Sequence, residues 1–92
     1  MVPIHPGRIL RRELRARDLS ANALARALRV PSGRIVDILN GKRAISAETA
    51  LRLGRYFGND RRFWINLQTQ YELALAMREV GARVAREVET AA

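Results

Sequence analysis

Apolar residues recur at helical spacing along nearly the whole chain. Ile9, Leu10 and Leu14 predict a first helix that opens at Pro6, whose fixed φ suits a first turn. Leu24, Ala25 and Leu28 predict a second helix over 21–28, with Ser20 as its N-cap. Val30 is an apolar plug in the turn that follows. Pro31 cannot continue that helix but fits the first turn of the next, whose buried stripe is Ile35, Ile38 and Leu39. Asn40-Gly41 tolerates the left-handed conformation that ends a helix. Ser46 caps a fourth helix, with Glu48 near its positive end and Ala50, Leu51, Leu53, Gly54 and Phe57 on its apolar face. Gly58, Asn59 and Asp60 end it. A fifth helix is expected from about Arg61, carrying Phe63, Trp64, Leu67, Tyr71 and Leu75, with the single Trp as a core anchor.

Beyond Tyr71 the stripe narrows to Leu73, Met77, Val80, Val84 and Val88, with charges between. One helix with such a stripe has no room to bury it on a domain already closed. It packs on a second chain, folds back, or frays at Gly81. The expected domains are therefore a helical unit over 1–70 and a C-terminal helical extension over 71–92 that supplies a possible dimer contact.

The second and third helices, with the tight turn between them, form a helix-turn-helix pattern over 19–43. Ser32, Gly33, Arg34, Val36 and Asp37 lie off the apolar face of the third helix. The start of such a helix enters the DNA major groove. Small residues there permit close approach, and Arg34 suits a guanine edge. Lys42 and Arg43 follow the helix end, where a cation meets both the helix dipole and a phosphate.

Charge strengthens this reading. The 92 residues carry a net charge of +8, and the imbalance sits in the half with the helix pair. Residues 1–46 hold ten Lys and Arg against three Asp and Glu, while residues 47–92 hold seven against six. A polyanionic partner suits that distribution. A membrane surface does not, because no long apolar segment exists for the arginines to flank. Arg8, Arg11, Arg12 and Arg15 on the first helix read either as phosphate contacts or as a solvated face. Glu13 and Arg17 form an i, i+4 pair.

Catalytic chemistry is missing from the sequence. There is no Cys, hence no disulfide or thiolate. The one His, His5, reads as a cap or surface residue, without a second ligand at metal spacing. There is no phosphate-cradling Gly-rich loop and no nucleophile–base pair. The expectation is a non-enzyme without cofactor or metal, cytoplasmic, with no membrane partner. Three readings remain: a dimeric repressor that is also an antitoxin, a free-standing DNA-binding regulator without a toxin, and an interaction module whose basic charge meets an acidic protein.

Particular strings separate these. Residues 5–10, Val30-Pro31 with Arg34-Ile35 and Ile38, the run Gly41 to Leu53, Tyr56-Phe57-Gly58, and the spacing of Trp64, Leu67, Gln68, Tyr71 and Leu73 resemble the HigA/VapI-type antitoxins, a branch of the Xre/Cro-type helix-turn-helix proteins. The resemblance covers about residues 5–76. It implies an all-α, five-helix lambda-repressor-like domain, a homodimer, and an inverted-repeat operator on double-stranded DNA. It also implies a HigB-type, RelE-like ribonuclease toxin as partner. On the resemblance, Ser32, Gly33, Arg34 and Asp37 face the bases, and Ser20, Asn22, Asn40, Lys42 and Arg43 face the phosphates. Relatives commonly carry Gly where this chain has Arg29, so a positive φ there would strain the turn. Gly33 is also unusual so near a helix start.

Overall fold

The computed structural model describes residues 2–91, and among them there are five helices and no strand. Helix α1 spans Pro6–Ala16, α2 Ala21–Leu28, α3 Ser32–Leu39, α4 Ala47–Phe57 and α5 Phe63–Glu87. The buried stripes meet in one core: Leu10 and Leu14 from α1, Leu24, Ala25 and Leu28 from α2, Ile35 and Ile38 from α3, Ala50 and Leu53 from α4, with Ile45 and Trp64. Trp64 is almost wholly enclosed. Its indole N–H donates to Asn59 Oδ1 at 2.9 Å, so its polar edge is satisfied as its rings leave water.

Three expectations shift. Pro31 is the N-cap of α3 rather than a residue of its first turn, in extended geometry (φ −60°, ψ 141°). Helix α5 starts at Phe63, because residues 61 and 62 complete a turn in which Asp60 Oδ1 accepts the Arg62 N–H at 2.8 Å. Leu51, placed on the buried face of α4 by its apolar character, is 55% exposed: it lies between Ala50 and Arg52 while Leu53 and Gly54 face inward.

Four helices end in the same way. The N–H of the second or third residue past the end reaches back to a carbonyl five positions earlier: Leu19 to Leu14, Val30 to Ala25, Lys42 to Asp37 and Asn59 to Gly54, at 2.8–3.0 Å. This closure requires a left-handed residue. Gly41 and Gly58 supply it after α3 and α4, but Asp18 (φ 52°) and Arg29 (φ 58°) adopt it after α1 and α2.

The N-terminus of α1 depends on His5. Its Nδ1 accepts the Gly7 N–H at 2.9 Å, and its ring meets Tyr71 of α5 edge-on at 4.9 Å. Burial holds the imidazole below its ordinary value, outweighing a main-chain hydrogen bond to Arg43 that favours the cation. Immediately next to this cap, α1 crosses α3 so closely that a Cβ on Gly7 would overlap the Ile38 carbonyl oxygen.

Helix α5 runs unbroken through Gly81 to Glu87, across the 70/71 position. From Ala76 onward every described residue is exposed except half-buried Val80 and Gly81. The helix neither folds back nor frays at Gly81. It projects, giving the molecule extents of 49 × 23 × 22 Å.

Arg29→Gly is expected to stabilise the fold by roughly 0.5–1 kcal/mol, the left-handed strain relieved less the extra backbone entropy of Gly. Chemical denaturation measures it; a loss of stability would show that the Arg29 side chain contributes more than its strain. His5 gives a pH dependence. Its lowered folded-state value means that the unfolded chain takes up the proton first as pH falls. The stabilisation is complete above about pH 6.5 and is lost as pH drops through the folded-state value. Asn at position 5 keeps a capping oxygen but does not titrate. The melting-temperature difference between wild type and His5→Asn is therefore expected to move against wild type between pH 7 and 5. Parallel curves would remove His5 from the stability of α1.

Candidate nucleic-acid interface

Burial of Ile35 and Ile38 turns the opposite face of α3 outward. Ser32, Gly33 and Val36 are exposed there, and Arg34 and Asp37 are half-buried. A Cβ on Gly33 would meet nothing within 4 Å, so the backbone at the start of α3 is open to a close approach. Among nine residues expected to touch DNA, every one is thus exposed or half-buried.

The expected phosphate contacts come from two helix ends. Ser20 Oγ accepts the Ala23 N–H at 3.1 Å as the cap of α2, which leaves its hydroxyl hydrogen free to donate. Asn22 is exposed within the first turn of that helix. A shallow groove lined by Arg11, Arg15, Ser20 and Leu39 joins this end to the end of α3. Asn40, Lys42 and Arg43 follow, exposed, in the closure set by Gly41 (φ 73°).

The same side chains are tied to the protein in ways that local spacing does not reveal. Arg11 Nη2 donates to the Leu39 carbonyl and to Asn40 Oδ1, both at 3.3 Å, so an arginine read as phosphate-facing or solvated closes the end of α3. Arg43 Nε lies 4.0 Å from Asp37 Oδ2. Arg34 Nη1 lies 3.7 Å from Glu48 Oε1, with the Arg34 side chain only 28% exposed. Surface pairs of this kind are worth about 0–1 kcal/mol, so a DNA contact can displace them.

The stretch joining α3 to α4 has a buried anchor. Gln68, on α5, accepts the Ile45 N–H through Oε1 at 2.9 Å and donates from Nε2 to Glu72 Oε2 at 2.8 Å. The sequence presents Gln68 only within the family string, without a role, although its place four residues after Trp64 puts a polar side chain on the buried face of α5. Arg52 Nη1 donates to the Leu28 carbonyl at 2.9 Å, closing the end of α2. Arg11 and Arg52 are thus donors aimed at the C-termini of α3 and α2, where the helix dipole favours a cation.

The arrangement is an outward helix with a bare, small-residue start, flanked by hydroxyl, amide and cationic donors. It suits a polyanion with readable edges. A model of the helix-turn-helix family matches residues 10–64. The chain is 54% identical over 77 residues to virulence-associated protein I of Dichelobacter nodosus, spanning 83% of this chain and 71% of that protein. A HigA-family addiction module antidote protein from Coxiella burnetii superposes with a TM-score of 0.94 at 46% identity, covering 98% of this chain and 99% of the other. The Pseudomonas aeruginosa antitoxin HigA, solved with the higBA promoter, superposes with a TM-score of 0.93 at 48% identity, covering 99% and 100%. With the domain, the five-helix order and the projecting α5 all shared, the chain belongs to the HigA/VapI-type branch of the Xre-type helix-turn-helix family, whose members are non-enzymatic DNA-binding proteins.

Proposed function

We propose that this protein is an antitoxin and autoregulatory repressor that binds an inverted-repeat operator as a homodimer and neutralises a HigB-type, RelE-like ribonuclease in the cytoplasm. The observation that carries the reading is the open face of α3, with donors from the α2 start and the α3 end on either side of it. Its likeness to a HigA solved with promoter DNA supports the same assignment. Ser32, Gly33, Arg34 and Asp37 face base edges, while Ser20, Asn22, Asn40, Lys42 and Arg43 face phosphates. Two protomers bound one turn apart would place their α3 helices about 34–36 Å from each other.

The dimer contact is assigned to residues 71–92. Leu73, Met77 and Val84 are 59%, 66% and 48% exposed, and with Val80 they follow a 4-3-4 spacing along one seam of α5. That is the spacing at which two helices pack side by side. Arg78, Glu79, Arg83 and Glu87 beside it provide both signs of charge for a second copy of the same helix.

Fluorescence anisotropy against the DNA upstream of its own gene and a scrambled duplex, at two salt concentrations, tests the DNA reading. Salt-sensitive preference for the upstream fragment is expected; equal binding to both would reject it. Arg34→Ala is expected to cost about 1–3 kcal/mol on the upstream fragment and to relax preference at one base pair. Lys42→Ala is expected to weaken both duplexes alike and to lower the salt slope by about one unit. Met77→Asp is expected to convert the dimer to monomer in light scattering without changing the fold of the domain. Growth arrest by the co-encoded ribonuclease that this protein fails to relieve would reject the antitoxin role.

A further inference from the structure

We propose that Glu48 is a positioning residue that sets operator discrimination, by holding the Arg34 guanidinium away from phosphates and releasing it to a base edge. The inference rests on the reading of α3 as the groove helix. It starts from how Glu48 itself is held. Its side chain is 65% exposed, yet both oxygens have cationic neighbours: Oε1 lies 3.7 Å from Arg34 Nη1 and Oε2 lies 3.5 Å from Arg52 Nη2. Arg52 is tied to the end of α2, where Nη1 donates to the Leu28 carbonyl at 2.9 Å. A relay therefore runs from the end of α2 through Arg52 and Glu48 to Arg34.

An arginine at the start of a groove helix has two competing acceptors on DNA. One is any phosphate, which every sequence offers. The other is a guanine edge, whose O6 and N7 accept two N–H groups in one plane. Leaving Glu48 for a phosphate exchanges one oxygen anion for another and brings the carboxylate toward the DNA backbone, which repels it. Leaving it for guanine gains a bidentate pair with fixed geometry. Glu48 thus penalises random DNA more than operator DNA. An arginine without that partner would add one more sequence-independent phosphate contact.

The test is a set of anisotropy titrations at two salt concentrations, on the upstream fragment and a scrambled duplex of equal length. It compares wild type, Glu48→Gln, Arg34→Ala and the double variant, each checked for a wild-type melting profile; Glu48→Ala serves in place of Glu48→Gln if that variant melts early. Glu48→Gln is expected to tighten binding to the scrambled duplex by up to roughly fivefold, the factor of an exposed ion pair. It should leave the upstream fragment nearly unchanged and steepen the scrambled-DNA salt slope by about one unit. In the Arg34→Ala background the same substitution should have no effect on the ratio of the two affinities. An equal gain on both duplexes, or a gain on scrambled DNA that persists without Arg34, would overturn the proposal, since Glu48 would then act as a general charge. If Arg34→Ala weakens both duplexes alike, the reading of α3 fails first, and that result is independent of any Glu48 variant.

Discussion

The crossing of α1 over α3 at Gly7 is the constraint on which the DNA-facing surface depends. No side chain larger than hydrogen fits there, because a Cβ would overlap the Ile38 carbonyl oxygen. The approach brings one face of α1 along the C-terminal half of α3. One turn further on, Arg11 reaches the Leu39 carbonyl and the Asn40 side chain. On the other side of Gly7, the His5 ring lies against the Gly41 turn. Both the end of α3 and the turn after it are therefore set by the cap and first two turns of α1, through His5, Gly7 and Arg11. The outward face of α3 needs no contacts of its own to stay in place.

This scaffold spends cations that a charge count would assign to DNA. Arg11 closes α3, Arg52 closes α2, and Arg17 pairs with Glu13 while its guanidinium lies 4.8 Å from the centre of the Phe57 ring. The net charge of +8 overstates the number of phosphates the protein can neutralise at once. Counterion release counts contacts, not formal charge. Long-range attraction still scales with the whole field, so the same arginines aid encounter even where they make no contact.

Helices were legible because their stripes and caps are local signals. Ser20 and Ser46 accept the N–H groups expected of them, and Trp64 is the core anchor its uniqueness suggested. What escaped is long-range. Arg34 and Glu48 are 14 positions apart, and Gln68 and Ile45 are 23 apart, so no periodicity links them. Leu51 misled because apolar character was taken as burial, whereas its position on α4 faces water beside Tyr56. Arg29 was legible as a strain site through the family resemblance, and its φ of 58° carries that strain. Asp18, with the same backbone state, had no comparable signal. The role of Gly7 was not legible either, since only the helix crossing demands it.

Helix α5 joins two features that the sequence presents separately. Gln68 sits in its buried first half and holds the Ile45 backbone between α3 and α4. The exposed seam of Leu73, Met77 and Val84 lies further along the same unbroken helix. A helix bends little over such a distance. A dimer formed through the seam would therefore fix the orientation of each Gln68, and with it the stretch that follows α3 in each protomer. Half-site spacing would then follow from the angle at which the two α5 helices cross, more than from any residue that touches DNA. Substitutions in the seam that change this angle while keeping the dimer should alter the preferred spacer length of the operator and leave the preferred half-site bases as they are.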